Sequence, residues 1–236
     1  MESQGRATDS GRGLVGTRAA KDELHAVFAR VGKALANGHR VEMLDLLAQS
    51  ERSVESLAGT AAISIGLASA HLQTLRAAGL VTSRRDGNRI LYRISGEDAY
   101  AILAALRTVA TNRIADAERA ARAYLGDPIE AVSRAQLLER VAAGTAVVVD
   151  LRPREEYTAG HVAGAISIPL PELEARLADL PDDLEIVAYC RGPYCAMAPQ
   201  GVALLRRLGR RATRMEAGFP EWSLDGLPVA TGDDPS

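Results

Sequence analysis

The sequence is poor in three things. It has two cysteines in 236 residues, only 4% aromatics, and no unbroken apolar run long enough to span a bilayer. Two cysteines do not make a disulfide scaffold, so the fold must rest on apolar cores. The 47% hydrophobic content is enough for them, and the length suits one large domain or two small ones. Charge of one sign is also scarce, with a formal net charge of −2. The balance is uneven, however. Residues 1–126 carry 17 Lys and Arg against 13 Asp and Glu, whereas residues 127–236 carry 11 against 17. The basic half is the better candidate for a polyanion partner. Residues 1–16 lack the apolar core of a signal peptide. Residues 1–19 are expected to form a disordered tail, and the protein is expected to be cytoplasmic, with no membrane partner.

What is there begins with the two cysteines, Cys190 and Cys195. Residues 184–189 ahead of them read as a short buried strand. Residues 196–208 behind them read as a helix stopped at Gly209. A cysteine at a strand end and before a helix N-terminus meets loop amides and the positive end of the helix dipole. Both favour thiolate over thiol, most of all at Cys190 beside Arg191. Two plainer readings stand beside this one. The pair could be small core residues, or half a zinc site with His161 as a third ligand. The Arg, Gly and Pro between them make the loop polar and tightly bent, which argues against a core pair. Zinc wants four ligands, and His161 is the one obvious addition. A cysteine-dependent phosphatase or arsenate reductase would need an arginine where Ala196 and Met197 stand.

Around this loop the second half alternates strand and helix. Ser133 caps a helix over 134–142. Strands are expected at 145–150, 165–168, 185–189 and 211–215, and helices at 154–158, 172–180 and 196–208. Such alternation indicates an α/β unit, a parallel sheet with helices on both faces. Ligands of such sheets sit at the carboxyl ends of strands, where Asp150 and Cys190 both fall. His161 and Trp222 read as structural.

Four ordered stretches then resemble the rhodanese domains. They are Val147-Val148-Val149-Asp150-Leu151-Arg152, the run 156–166 around Gly160-His161, Cys190-Arg191-Gly192, and Gly218-Phe219-Pro220-Glu221-Trp222 with Gly226-Leu227-Pro228-Val229. The resemblance implies a rhodanese-like fold in which Cys190 is the nucleophile that becomes a persulfide. Arg191 and the amides of Gly192, Tyr194 and Cys195 would steady its charge, with Asp150 and Arg152 completing the site. Many rhodanese loops have Arg or Lys where this chain has Cys195. That disfavours fast turnover of an anionic donor and supplies a resolving thiol. The implied partner is a sulfane-sulfur donor such as polysulfide or thiosulfate, with no cofactor and no metal. A thiosulfate or persulfide sulfurtransferase is the enzymatic alternative.

In the first half, residues 22–36 follow a helical pattern with Leu24, Val27, Phe28, Val31 and Leu35 on one face. A helix over 39–48, a turn at 49–52, and a short helix capped by Ser53 follow. Ser64 caps a further helix to Ala78, closed by Gly79. Two short helices around a tight turn make a helix-turn-helix, or an ordinary αα-hairpin. Ala68, Leu72 and Leu75 face inward, and Ser69, Gln73 and Arg76 outward. A β-hairpin over 80–94 with Asp86-Gly87-Asn88 at its tip follows directly. Arg84, Arg85, Arg89 and Arg93 flank the tip, as suits a wing on phosphates or in a minor groove. Residues 96–125 read as one long helix with an apolar stripe from Ala99 to Tyr124. Gly126-Asp127-Pro128 ends it and marks the domain boundary.

Leu35-Ala36-Asn37-Gly38-His39-Arg40, residues 64–80 and the wing run Arg85-Asp86-Gly87-Asn88-Arg89 resemble the ArsR/SmtB winged-helix repressors. Gly38 replaces a usual Pro. This half has no cysteine and only scattered His25, His39 and His71, so the resemblance implies DNA binding without metal sensing. It also implies a homodimer on an inverted-repeat operator of double-stranded DNA. The expected DNA contacts are Ser64, Ser69, Gln73, Arg76, Arg84, Arg85, Asn88 and Arg89. Two domains result: a mainly α winged helix-turn-helix over 20–126 and a rhodanese-like α/β unit over 127–236. Together they suggest a repressor that senses reactive sulfur, its signal passing through Gly126-Asp127-Pro128 to the dimer helix.

Overall fold

The structure, a computed structural model, describes residues 16–233. Helix α1 (Arg18–Leu35) starts where the Thr17 hydroxyl accepts from the Ala20 amide. Arg18 and Ala19 are therefore helical, and residues 1–15 of the expected tail lie outside the described residues. Asn37 caps α2 (Gly38–Leu47). Strand β1 (Arg52–Ser53), α3 (Val54–Thr60) capped by Ser53, and α4 (Ile65–Ala77) capped by Ser64 follow. Between α3 and α4, Ala62 has φ 52°. This left-handed conformation costs a non-glycine residue about 1 kcal/mol, and it lets the Ile63 amide bond back to Ala58. Strands β2 (Val81–Asp86) and β3 (Arg89–Ile94) pair with Asp86 opposite Arg89, so Gly87 (φ 58°) and Asn88 make the wing tip. β1 adds to β3 on its other edge, giving the order β1-β3-β2. Leu44, Leu47, Leu57, Leu72, Leu75 and Leu103 close the core behind them.

Two expectations for this half change. The long helix is two, α5 (Glu97–Arg113) and α6 (Ala115–Leu125), because β-branched Ile114 takes an extended backbone (φ −111°, ψ 107°). The break turns α6 toward the second half, where Tyr124 lines a cleft beside Tyr194. On α1, Leu24, Val27 and Phe28 are exposed rather than inward, because only the C-terminal end of α1, around Ala34 and Leu35, is buried in the core.

The second half runs β4 (Ala131–Val132), α7 (Arg134–Ala142), β5 (Ala146–Asp150), α8 (Arg154–Ala159), β6 (His161–Val162), β7 (Ile166–Ser167), β8 (Glu185–Tyr189), α9 (Met197–Arg207), β9 (Ala212–Met215), α10 (Phe219–Leu224) and β10 (Val229–Ala230). Five strands form a parallel sheet in the order β4-β9-β8-β5-β7, and β10 pairs antiparallel with β6. Successive residues point to opposite faces. Val148, Val187 and Tyr189 therefore join Leu137 of α7 and Trp222 of α10 in one core, while Val149, Ile186 and Ala188 join Val202 and Leu205 of α9 in the other. The helix expected over 172–180 is two separate 3₁₀ turns, Leu170–Glu172 and Leu177–Asp179. The backbone leaves the helical range at Arg176, whose guanidinium is held by the Ser167 carbonyl and Asp179. Among the described residues no helix is long and apolar enough to cross a membrane.

Candidate functional site

The residues expected to contact DNA lie on α4 and the β2–β3 wing. Gln73, Arg76, Arg84, Arg85, Asn88 and Arg89 are exposed, and Ser69 is half-buried. Ser64 is committed as the α4 cap. The Gln73 amide donates to the Tyr92 hydroxyl at 3.3 Å, and Arg76 reaches Ser83 at 3.5 Å. Arg84 pairs with Glu51 at 2.7 Å, and Arg85 Nε donates to the Gly87 carbonyl, bracing the wing tip. Ala70 and Thr74 stand further out than Ser69, so the outward stripe of α4 runs through Gly66, Ala70, Gln73 and Thr74. Their small size hid this in the sequence. His71 is buried beside His39, and burial, with Arg40 and His39 nearby, lowers its pKa.

The cysteine loop follows β8, at the carboxyl end of a central strand. Cys190 is 2% exposed, and Cys195 is half-buried immediately before the cap of α9. The Cys190 thiol donates to the Cys195 carbonyl oxygen at 3.6 Å, and the two thiols influence each other's acidity. The expected order of acidity is reversed. Burial first, then Cys195, pushes the Cys190 thiol up. The S–H of Cys190, the amides of Arg191 and Met197, and the Arg191 charge bring Cys195 down to about 7, against burial. The first α9 amides thus act on both sulfurs, Met197 on Cys195 and Ala198 on Cys190. Of the amides expected to steady Cys190, that of Gly192 does so, whereas that of Cys195 is spent on the Gly192 carbonyl at 3.2 Å.

Asp150 and Arg152 lie under this loop, both fully buried. Arg152 holds Asp150 through Nε and Nη2, the latter at 2.6 Å, and also donates to the Gly160 carbonyl at 2.7 Å. Its guanidinium stacks on Phe219 at 4.6 Å, and Tyr189 donates to Asp150. Burial opposes the Arg152 charge, but Asp150 outweighs it and raises the pKa. These two residues brace the strand ends. His161 is likewise built in, stacked on Tyr157 at 3.6 Å with Nδ1 on the Tyr157 carbonyl. Gly218 has one reason to be glycine: a Cβ there would lie 2.3 Å from the Gly192 nitrogen and 2.4 Å from the Arg191 carbonyl carbon.

The winged-helix half reaches directly into this loop. Gln49 is 3% exposed; its Nε2 donates to the Arg191 carbonyl at 3.1 Å, and its Oε1 accepts from Arg152 at 3.1 Å. Glu156, fully buried, accepts from Arg191 at 2.6–3.0 Å and pairs with Arg52 of β1. Tyr100 of α5 donates to Glu221, which caps Gly218. Arg107 pairs with Asp45 at 2.8 Å and approaches Gly192. The contacts between halves therefore run through Gln49 after α2, Arg52 of β1 and Tyr100 of α5, in addition to Pro193 and Tyr194 beside Gly126-Asp127-Pro128. In the sequence Gln49 and Arg52 are ordinary turn residues. Among the described residues no three His, Cys, Asp or Glu side chains cluster as a metal site.

A winged helix-turn-helix whose core abuts a rhodanese-type loop defines the class: a DNA-binding regulator carrying a rhodanese-like domain. Residues 37–83 match the family described as bacterial regulatory protein, arsR family, and residues 133–225 match the rhodanese-like domain. The chain is 52% identical over 204 residues to the HTH-type transcriptional regulator Rv0324 of Mycobacterium tuberculosis, covering 86% of this chain and 90% of that one. It belongs to that family of HTH-type transcriptional regulators. It is also 34% identical over 104 residues to the human thiosulfate:glutathione sulfurtransferase, covering 39% of this chain and 90% of the relative. The solution structure of the homodimeric winged helix-turn-helix DNA-binding domain of Mb0332 from Mycobacterium bovis shares 46% identity. It covers 43% of this chain and 94% of that one, with a TM-score of 0.40.

Proposed function

We propose that the protein is a cytoplasmic, homodimeric repressor that releases an inverted-repeat operator when sulfane sulfur reacts with Cys190 and Cys195. One observation carries the reading. The loop holding the two thiols is gripped by Gln49 directly and by Arg52 through Glu156, and these two residues flank the turn into the helix-turn-helix. A persulfide or bridge changes the loop's shape and charge. The Arg191 carbonyl then leaves Gln49, and the Glu156 clamp loosens on Arg52. Arg52 stands in β1, paired to wing strand β3, next to the Ser53 cap of α3. The expected coupling is about 1–3 kcal/mol.

The exposed apolar residues Leu24, Val27 and Phe28 on α1, and Val109 on α5, support a dimer. One short recognition helix reaches few base pairs, so two half-sites about one helical turn apart are needed. The test is a gel-shift on the protein's own upstream DNA, with and without polysulfide. Wild type should lose DNA, and a Cys190→Ser, Cys195→Ser double variant should keep it. A monomer by light scattering that still binds DNA tightly would refute the dimer. Multiple turnovers with thiosulfate and cyanide, with no effect on DNA, would favour a sulfurtransferase instead.

A further inference from the structure

A cleft of about 290 Å³ opens between α2 and the cysteine loop. Cys195 lines it, whereas Cys190 is sealed beneath. We propose that this cleft is the binding site of a small hydropersulfide donor, and that Cys195, rather than Cys190, is the thiol that attacks it. The inference rests on the sulfur-sensing reading and supplies its donor and its order of events.

A donor arriving in the cleft meets one sulfur, that of Cys195. Arg191 is the single cation in the lining, and its guanidinium is taken up by three hydrogen bonds to Glu156. The facing wall carries Glu42 and Asp45, and Asp45 is already paired with Arg107. A thiosulfate dianion would face the Glu42 carboxylate with no uncommitted cation in the lining. A neutral or singly charged hydropersulfide is spared that repulsion, and Val41 and Leu46 offer apolar contact to its alkyl arm. The acidity of Cys195 agrees with this order.

In the first step the Cys195 thiolate attacks the terminal sulfur of RSSH. The new bond joins Cys195 Sγ to that sulfur, the RS–S bond breaks, and RS⁻ leaves with the electron pair. In the second step Cys190, losing its proton to RS⁻, attacks Cys195 Sγ and expels HS⁻. Together, two thiols and RSSH become a Cys190–Cys195 disulfide, RSH and hydrogen sulfide; the thiols are oxidised and the sulfane sulfur is reduced.

The test is mass spectrometry of the full chain with one equivalent of cysteine hydropersulfide. Cys190→Ser should consume the hydropersulfide at the wild-type initial rate and hold the added sulfur on Cys195 without a bridge, whereas wild type should end two hydrogens lighter with no added sulfur. Cys195→Ser should be at least about tenfold slower. The opposite ranking overturns the proposal. If wild type neither carries added sulfur transiently nor loses two hydrogens to the Cys190–Cys195 disulfide, the sensing reading itself falls. The groups facing Cys195 are Cys190, Arg191 and Tyr194 of the loop, Glu42 and Asp45 of α2, and Tyr124 of α6. The wild-type initial rate should climb as pH rises through about 7 and then level off; a rise centred near an ordinary thiol pKa counts against Cys195. Glu42→Lys, at an exposed position, should raise uptake from thiosulfate at least about fivefold and leave cysteine hydropersulfide within about twofold. No gain with thiosulfate would remove the electrostatic argument.

Discussion

In the winged-helix half, Arg85 and Arg89 stand in solvent and Arg84 meets Glu51 at the surface. In the rhodanese half, Asp150, Arg152 and Glu156 are wholly buried, and each charge has a partner. Exposed pairs contribute little to stability and are screened by salt, so these arginines stay available to a polyanion. Buried pairs recover their desolvation only with well-placed partners, so their use is position. One half keeps charge available, and the other spends it on holding a loop. Gln49 and Arg52 are where the two meet, because they stand on the first half and bond to charged groups of the second.

The largest effect tests this contrast at its base. Arg152→Met leaves Asp150 buried beside Tyr189 and should cost about 3–5 kcal/mol in denaturant unfolding. Arg84→Met, at the surface pair, should leave the midpoint nearly unmoved. Equal losses would mean that the buried network braces nothing.

Next comes the junction. Gln49→Ala removes the hydrogen bonds to the Arg191 carbonyl and to Arg152. It should cost about 1–3 kcal/mol in stability, the range for buried polar groups left unpaired. It should still bind DNA and still react at the cysteine pair as wild type does by mass spectrometry, yet release DNA less on polysulfide. Release at the wild-type level would show that the signal travels elsewhere, for instance past Gly126-Asp127-Pro128.

That junction is also where the sequence stopped being legible. Local chemistry revealed itself: Ser53, Ser64 and Ser133 cap the helices as their spacing indicated, and the wing turns at Gly87-Asn88. The rhodanese motifs put Cys190 and Asp150 at neighbouring strand ends. What could not be read depends on distant segments meeting. The loop neighbours of Cys190 point to an acidic thiol, but its burial comes from the fold packed around it. The break at Ile114 carries no Pro or Gly to announce it. On α1, Leu24, Val27 and Phe28 have the spacing of a core face, and periodicity does not say whether the same chain covers them.

A smaller effect separates reading from holding within the DNA-binding half. Gln73 is exposed on α4, its amide resting on the Tyr92 hydroxyl. To read a base edge it must exchange that weak contact for one to DNA. Gln73→Ala should therefore change which sequences bind, by about 1–3 kcal/mol at the contacted base pair. Uniform loss across all sequences, measured by competition binding, would refute a base-reading role.

The smallest expected effect is at the wing, and it divides arginines that look equivalent in the sequence. Arg89 is exposed on β3, with Glu55 the carboxylate it influences. Arg84 is held by Glu51 at 2.7 Å, and Arg85 is turned onto the Gly87 carbonyl. A phosphate contact from Arg84 must first break an ion pair, which takes back part of what the phosphate supplies. Arg89 carries a smaller cost of that kind. Arg89→Ala should therefore weaken binding to all sequences alike and lower the slope of log affinity against log salt by about one. Arg84→Ala should lower it by less, and Glu51→Gln should recover part of the difference by freeing Arg84. If Arg84→Ala and Arg89→Ala change the slope equally, the surface pair with Glu51 does not persist on DNA, and the wing is a uniform cationic edge.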